Sequence, residues 1–178
     1  MQPPIAAKRP HRLEMHGDVR VDDYYWLRER DDPEVIAHLE AENAYQKEVM
    51  GRTADFETRL FEEIKARIKQ TDMSVPYREG DYRYYRRVED GKDYKIYCRM
   101  PVGAETEEIL LDVNAVAAGH EFCDVGARRV SPSQRLLAYA VDTVGRRQYT
   151  IRFRDIASGV DLAEVIPDVS ANLAWASN

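Results

Sequence analysis

A β-hairpin pattern that occurs twice in the second half of the chain constrains the fold more than any other feature of the sequence. Each copy has two alternating strands joined by a turn that contains glycine. The strands are YRYYRRV (82–88) and YKIYCR (94–99), then LLAYAV (136–141) and YTIRFR (149–154). Matching residues lie 55 positions apart: Tyr84 and Tyr139, Tyr94 and Tyr149, Ile96 and Ile151, Arg99 and Arg154. A β unit that repeats every ~40–55 residues is typical of a propeller blade.

The number of copies predicts an incomplete propeller. A third strand at 108–113 (EILLDV) follows the first hairpin, a turn after Ser131 joins two strands, and residues 172–175 begin a third blade. Propellers have about four to eight blades, so two blades leave an open sheet edge. We therefore predict an α+β fold in which residues 76–178 form an incomplete β-propeller of about two four-stranded antiparallel blades.

Before Val75 the apolar residues recur at helical spacing, which predicts an N-terminal helical arm over residues 1–75. Asp31 and Asp32, followed by a proline, indicate the start of a helix that runs to about Met50. Its buried side and its end are predicted as follows: Val35, Ile36 and Leu39 face the interior, and Gly51 ends the helix in a left-handed conformation.

A second helix is predicted over residues 54–69, with Thr53 as its cap. Its apolar side chains recur at i, i+3 and i+4 and form one stripe: Phe56, Leu60, Phe61, Ile64 and Ile68. Two pairs of opposite charge lie on the polar side: Asp55 with Arg59, and Glu63 with Arg67. Amphipathic helices of this kind need another surface to pack against.

The densest group of acidic residues, in DDYYWLRERDDPEV (22–35), has a structural explanation. Paired carboxylates serve as acid and base when a pocket separates their pKa values. Asp31 and Asp32 precede a helix, so capping explains them better than catalysis. Asp22 and Asp23 precede three aromatic residues, 24–26, which we expect to anchor the arm against a domain outside this chain.

No metal or cofactor site is predicted. One candidate set of metal ligands consists of His11, His16, Asp18 and Asp22. Its spacing fits no helix face and no familiar ligand pattern, so we expect no metal there. His38, in the first helix, and His120, between the two blades, are expected to be surface or packing residues. The nine glycines are scattered and form no phosphate-binding loop.

No catalytic nucleophile is predicted either. None of the six serines lies in G-x-S-x-G, and each is expected to be a turn, loop or strand-end residue: Ser74, Ser131, Ser133, Ser158, Ser170 and Ser177. Cys98 and Cys123 form no C-x-x-C pair and have no histidine nearby in the sequence, although contact in the fold stays open. Two separated thiols suit a reducing compartment.

The charge and hydropathy patterns exclude two classes of partner. The net charge is −6, and the basic residues of YRYYRR (82–87) alternate as in a strand among neighbouring acids, so we expect no nucleic-acid binding. No apolar segment has the length of a signal peptide or a membrane span, so we expect no membrane association and a cytoplasmic location.

Several specific motifs resemble those of a known family. They are Tyr25-Trp26-Leu27, Asp32-Pro33, Glu42-Asn43, Lys69-Gln70-Thr71-Asp72, Val75-Pro76 and Tyr97-Cys98-Arg99. From about His11 to Trp175 the chain closely resembles the N-terminal part of bacterial oligopeptidase B, in the prolyl oligopeptidase group of serine peptidases. The resemblance implies a seven-bladed propeller on an α/β-hydrolase domain, and an N-terminal arm that joins the hydrolase.

The resemblance also implies an activity for the whole enzyme. Family members cleave short peptides with a Ser-His-Asp triad between the two domains, after arginine or lysine in oligopeptidase B, while the propeller excludes folded proteins. The triad lies beyond the matched region, so no catalytic residue is assigned to this chain. About five blades and the hydrolase domain are missing, which suggests a truncated gene, a frameshifted copy or an excised fragment.

Two hypotheses follow for this chain. In the first it is a non-catalytic N-terminal part of a serine oligopeptidase, which meets short basic peptides only within the full enzyme. In the second it is a binding or adaptor module that captures partners, or a second copy, through an open strand at 172–175 and the apolar stripe of the second helix. Because terminal blades need capping, we expect the isolated chain to be partly molten or oligomeric.

Overall fold

The computed structural model describes residues 2–176 of the chain. Its internal contacts divide the chain into two compact units that are separated between Ile68 and Lys69, a little before the change of sequence period near Val75. The first unit is mainly helical and the second is built from two antiparallel sheets.

The first unit opens with a β-hairpin that the helical periodicity does not predict. Strand β1 (His11–Met15) pairs antiparallel with β2 (Asp18–Asp22). His16 and Gly17 between them both have positive φ, 54° and 80°, as in a type I′ turn. A histidine–glycine pair is a weaker turn signal than Asn-Gly, which is why the helical pattern dominates the sequence-based prediction.

Two α-helices complete the first unit. They are α1 (Pro33–Met50) and α2 (Ala54–Arg67), with 3₁₀ turns before them at Tyr25–Arg28 and Gly51–Thr53. Asp32 is the N-cap of α1, because its Oδ1 accepts a hydrogen bond from the backbone N–H of Glu34 at 2.8 Å and Pro33 takes the first helical position. The predicted cap is confirmed on Asp32 rather than on Asp31.

The buried face of α1 differs from the prediction. Val35 is buried as expected, but Ile36 and Leu39 are 43% and 55% exposed. The residues that are buried or half-buried along this helix are Val35, His38, Glu42 and Tyr45. These positions form one helical face, and Ile36 and Leu39 lie one position to its side.

The junction between α1 and α2 also differs from the prediction. Gly51 is right-handed, with φ −55° and ψ −29°, because the chain passes through a 3₁₀ turn directly into α2. The Thr53 hydroxyl donates a hydrogen bond to the carbonyl of Met50 at 2.7 Å and makes no cap hydrogen bond to α2. The predicted left-handed end and threonine cap are therefore wrong.

The apolar stripe of α2 is exposed. Each of its five side chains is between 41% and 60% exposed. On the polar side of the helix, Glu63 and Arg67 form the predicted ion pair. The helix therefore presents apolar surface to solvent along most of its length.

The second unit contains two sheets and one short helix. The five-stranded sheet consists of β3 (Asp72–Met73), β4 (Tyr77–Glu79), β5 (Tyr82–Val88), β6 (Ile96–Pro101) and β7 (Glu108–Asp112). The four-stranded sheet consists of β8 (Asp124–Val130), β9 (Leu136–Asp142), β10 (Tyr149–Asp155) and β11 (Val160–Val169). In each sheet the strands run β4-β5-β6-β7 or β8-β9-β10-β11 as an antiparallel meander, with β3 also paired to β5. This confirms the predicted α+β fold with blade-like antiparallel sheets.

Several elements of this unit have weak sequence signals. Strands β3 and β4 are too short to show alternation, and β8 (DVGARRV) contains a glycine and three charged residues. Strand β11 contains Pro167, which is tolerated because β11 lies at a sheet edge. The predicted third strand ends at Asp112, and Val113 begins the short helix α3 (Val113–Ala117) instead.

The two predicted hairpins form, but they are not in the same register. Tyr84 lies opposite Arg99 in the first hairpin. Tyr139, at the equivalent place in the second, lies opposite Arg152 rather than Arg154. The constant offset of 55 therefore holds for the residue types but not for the pairing, because the second hairpin is two residues shorter between these positions.

One apolar core joins the two sheets. Tyr84 and Leu111 contribute to it from the five-stranded sheet, and Leu137 and Tyr139 from the four-stranded sheet, each at most 6% exposed. Full burial of a large apolar side chain stabilises a fold by about 1.5–3 kcal/mol. The sheets are therefore held together by the faces that the alternating pattern predicts as internal.

Residues 172–175 form no strand in the structure. The Trp175 ring packs against Phe153 at 5.9 Å between centroids, and its Nε1 donates a hydrogen bond to the carbonyl of Arg129 at 3.0 Å. The exposed strand predicted at this place is absent, and a third blade beginning here stays a prediction. Ser177 and Asn178 lie outside the described residues.

Replacement of Gly126 tests how tightly this C-terminal segment lies against β8. A Cβ at Gly126 would overlap the Cβ of Ala171 and come within 3.0 Å of the Tyr149 ring. We expect Gly126→Ala to lower the free energy of unfolding by about 1–2 kcal/mol because the segment must move away. The measurement is urea unfolding followed by fluorescence.

Gly51 provides the matched control for this change. It is right-handed and has nothing within 4 Å of an added Cβ. Gly51→Ala is expected to be neutral or stabilising by about 0.5 kcal/mol. Equal losses from both substitutions would contradict the close approach of Ala171 to Gly126.

Candidate functional site

The acidic stretch at 22–35 supports local structure. Asp32 caps α1, and Asp22 Oδ1 accepts a hydrogen bond from the backbone N–H of Tyr24 at 2.8 Å. Asp23 lies 3.6 Å from the Lys8 ammonium. These contacts are those of caps and turns, as capping predicts.

The aromatic residues of the same stretch anchor residues of their own unit. Tyr25 stacks on His11 with 4.0 Å between ring centroids. Trp26 Nε1 donates a hydrogen bond to the carbonyl of Ala7 at 2.9 Å, and the Arg9 guanidinium lies 4.5 Å from its ring. In this structure the aromatic residues contact the N-terminal segment, and an anchor against a domain outside this chain stays a prediction.

The candidate metal set is not a cluster. His11 is stacked on Tyr25, and Asp18 accepts a hydrogen bond from Arg20 at 2.8 Å. Within residues 2–176, no group of three or more His, Cys, Asp or Glu side chains is placed to hold a metal ion.

The serines whose contacts are resolved have structural roles. Ser74 Oγ accepts a hydrogen bond from the backbone N–H of Arg86 at 3.0 Å, and Ser131 Oγ accepts one from that of Leu136 at 3.1 Å. The Ser158 hydroxyl donates to Asp155 at 2.8 Å. Each of these hydroxyls is used in a turn or at a strand end, and Ser177 lies outside the described residues.

Both cysteines are buried free thiols. Burial raises the pKa of the Cys98 thiol to about 12, and nearby Glu107 adds to the effect. Burial also raises the pKa of the Cys123 thiol, together with the negative charges of Asp124 and Asp142. Thiolate is the reactive form, so both positions are unsuited to nucleophilic chemistry.

We therefore expect both thiols of the native chain to be unreactive towards a disulfide reagent such as DTNB at pH 8, and both to react once the chain is unfolded in guanidinium. The reason is that Cys98 and Cys123 are only 1% and 4% exposed and their pKa values are raised. Fast reaction of one thiol before unfolding would contradict the packing of that residue.

The sequence pattern does not reveal an ionic network on the outer face of the five-stranded sheet. Arg87 pairs with Glu107, with a nitrogen–oxygen distance of 3.0 Å, and the Tyr85 hydroxyl donates to the same carboxylate at 2.5 Å. Burial and this hydrogen bond raise the pKa of Tyr85, while Arg87 lowers the pKa of Glu107. The network closes over the small apolar cluster that contains Ile96 and Cys98.

A pocket of about 470 Å³ opens between the two sheets. Its walls come from β4 and the segment before it, and from β5, β6, β7, β8 and β9. They include Val75, Tyr77, Tyr84, Tyr97, Arg128 and Val130. We call this cavity the inter-sheet pocket. A volume of this size falls in the range of small-ligand sites, about 300–1,000 Å³.

Arg128 is one of the charged residues that line the inter-sheet pocket. Its guanidinium carbon lies 3.8 Å from the centroid of the Tyr97 ring, and its Nη1 donates a hydrogen bond to the carbonyl of Val125 at 3.3 Å. Burial lowers the pKa of Arg128, and the positive charges of Arg129 and Arg86 lower it further. Arg86, Arg129 and Glu79 are the other charged residues that line the pocket among the described residues.

A second cavity of about 280 Å³ lies beside α3 and includes His120, Tyr139 and Asp161. Asp161 accepts hydrogen bonds from the Tyr139 hydroxyl at 2.8 Å and from Arg154 Nε at 2.6 Å. The carboxylate is thus engaged by both neighbours, and the arrangement ties β9, β10 and β11 together. It is a structural triad rather than an acid–base pair.

Known proteins of one family are similar to this chain. The family model described as the N-terminal β-propeller domain of prolyl oligopeptidase matches residues 3–178. Dipeptidyl aminopeptidase BI from Pseudoxanthomonas mexicana is 44% identical to this chain, over 99% of the chain and 27% of the relative. Protease 2 from Moraxella lacunata is 37% identical, over 95% of the chain and 25% of the relative.

A solved structure has a similar fold. Oligopeptidase B from Leishmania major superposes with a TM-score of 0.88 at 36% identity, and the match covers 98% of this chain and 27% of that one. The chain thus spans about a quarter of the length of these relatives. None of the helices in residues 2–176 combines the length and apolar character needed to cross a bilayer.

Proposed function

Because this chain belongs to the prolyl oligopeptidase family, we propose that it is a non-catalytic N-terminal part of a serine oligopeptidase resembling oligopeptidase B. In this role its sheets belong to a propeller that admits short peptides to a catalytic domain and excludes folded proteins. The peptides are basic, and cleavage follows arginine or lysine. The partners are thus short peptides within a complete enzyme, and neither nucleic acid nor a membrane is involved.

The observation that carries this proposal is the superposition on oligopeptidase B, at a TM-score of 0.88 over 98% of the chain. The two consecutive antiparallel meanders, packed on one core, support the propeller assignment. The buried thiols and the turn contacts of the resolved serines support a non-catalytic role. The net charge of −6 suits a basic peptide substrate.

A chimaera tests the size selection. Residues 3–176 replace the matching segment of Leishmania major oligopeptidase B, and cleavage is measured on a short arginyl peptide and on a folded protein with exposed arginines. We expect the chimaera to cleave the peptide and to leave the folded protein intact. Cleavage of both substrates at similar rates would contradict the proposed gate.

The isolated chain provides the companion assay. The purified 178-residue protein is incubated with an arginyl amide substrate. We expect no turnover above that of a mock purification. Turnover that co-purifies with the chain through two further columns would show that it has catalytic groups of its own.

The exposed stripe of α2 favours a second candidate function, that of a binding or adaptor module. Its five apolar side chains are 41–60% exposed, which is unusual for a helix of a stable monomer. In this case the chain associates with a second copy through the stripe. Light scattering over a range of concentrations should then show an oligomer that Ile64→Glu weakens at least tenfold and that Glu62→Gln, on the opposite face of the helix, leaves unchanged. A concentration-independent monomer would exclude it.

A further inference from the structure

We propose that the inter-sheet pocket is a subsite for a peptide carboxylate, which Arg128 binds. The identification of the ligand as a peptide rests on the proposed function, whereas the affinity for a carboxylate rests on the pocket itself. The carboxylate is either the free carboxyl end of a short peptide or an acidic side chain within it.

Several arginines embedded in these sheets pair with a carboxylate, whereas Arg128 and the half-buried Arg83 have no carboxylate partner among the described residues. Arg99, Arg87 and Arg154 each pair with a carboxylate, Glu108, Glu107 and Asp161 respectively. Arg128 has no such partner among residues 2–176. A guanidinium has five N–H donors, and Arg128 makes one hydrogen bond with them, to the carbonyl of Val125. A partly buried guanidinium without a counter-ion is unfavourable by itself and is stabilised by an anion.

The surroundings of Arg128 increase the preference for an anion. Arg86 and Arg129 also line the pocket, and Glu79 is the one acidic residue that lines it. The two neighbouring arginines lower the pKa of Arg128, which shows that their positive charges reach it. A bound carboxylate would reduce this repulsion.

The remaining walls suit the rest of a peptide rather than a bare inorganic anion. Val75, Val130 and Tyr77 line the same pocket as Arg128 and offer apolar and aromatic surface there. Tyr77 stacks on Tyr84 with 5.7 Å between centroids, so its ring is held against the pocket wall. A cavity of about 470 Å³ has room for one or two residues of a short peptide.

Arg128 also has a structural role, because its stack on Tyr97 connects β8 to β6. That role predicts a change in stability when Arg128 is replaced, but no difference between an acid and an amide ligand. The test therefore compares ligands on the unchanged protein as well as variants.

The probe is N-acetyl-tetra-alanine with a free carboxyl end, titrated calorimetrically into the full 178-residue chain at low salt. We expect it to bind at least tenfold more tightly than the same peptide with a C-terminal amide. Arg128→Gln should reduce the affinity to that of the amide. Arg146→Gln, which removes an exposed arginine in the β9–β10 turn, should leave it unchanged. Equal binding of acid and amide, or equal losses in both variants, would overturn the proposal.

Further ligands distinguish the source of the carboxylate. An amidated peptide with one internal glutamate that binds as tightly as the free acid would assign the site to acidic side chains, and weaker binding would assign it to chain ends. Either result supports the proposal. Acetate or inorganic phosphate that binds as tightly as the peptide acid would contradict a peptide site.

The chimaera provides a second measurement that does not depend on the stability of the isolated chain. There we expect Arg128→Gln to raise KM severalfold for a substrate with a free carboxyl end, with kcat unchanged, and to leave both constants unchanged for its amide. Equal effects on both substrates would indicate a structural role alone. Failure of size selection in the same chimaera would contradict the proposed function and leave the carboxylate subsite standing.

Discussion

Leu111→Ala is expected to lower the free energy of unfolding by about 3 kcal/mol, which is a large share of the total stability of a small domain. Leu111 is fully buried, and it lies in the core that the two sheets share. Its truncation removes buried apolar surface and leaves a cavity. The two sheets can close this cavity only in part, because the strands of each sheet are held by hydrogen bonds. Urea unfolding followed by tyrosine and tryptophan fluorescence measures the loss.

Ile109 is the matched control, because it lies on the same strand, β7, and is 50% exposed. Ile109→Ala should cost less than about 1 kcal/mol, since little apolar surface is buried there. A Leu111→Ala variant as stable as Ile109→Ala would mean that the two sheets do not share a packed core in solution.

Arg99→Met is expected to lower the free energy of unfolding by about 2–3 kcal/mol. Arg99 is 5% exposed; its Nε donates a hydrogen bond to Glu108 at 2.7 Å, and its Nη1 donates one to the carbonyl of Gln134 at 2.8 Å. Its guanidinium also lies 3.9 Å from the centroid of the Tyr82 ring. Methionine keeps the apolar stem but removes every one of these polar contacts, including the one that reaches the turn before β9. Thermal and urea unfolding measure the change.

The exposed pair of Arg67 and Glu63 on α2 is the control for Arg99. Arg67→Met should change the free energy of unfolding by less than about 0.5 kcal/mol, because an ion pair in water gains little. If Arg99→Met lowers the free energy of unfolding as little as Arg67→Met does, the contact between Arg99 and Gln134 is unimportant for joining the sheets.

The sequence predicts those elements whose signals are local. The alternation in 82–88 and 149–154 is strong enough to place both hairpins, and Asp32-Pro33 places the start of α1. It fails where tertiary context decides. Strand β8, which lines the inter-sheet pocket, contains glycine and arginines. The buried face of α1 is set by the residues that pack against the helix rather than by the apolar character of Ile36.

The inter-sheet pocket is a clearer case of this limit. Its walls are contributed by residues near 75, 84, 97 and 128, which no short motif connects. Arg128 is one of several arginines in the sequence, and only the fold shows that it is stacked on Tyr97 without a carboxylate partner among the described residues. Sequence reasoning can find such a group only when the strand pairing is already known.

The difference in register between the two hairpins bears on how blades of this kind diverge after duplication. Tyr84 and Tyr139 occupy the same core although the strands that follow them are offset by two residues. Along a strand, side chains alternate between the two faces of the sheet with a period of two. A deletion or insertion of two residues at a hairpin tip therefore shifts the register of the returning strand without moving any side chain to the other face. An ancestral blade could thus gain or lose residue pairs at its tips while its interior remained intact. Gaps in alignments of such repeats belong at the tips, and in even numbers.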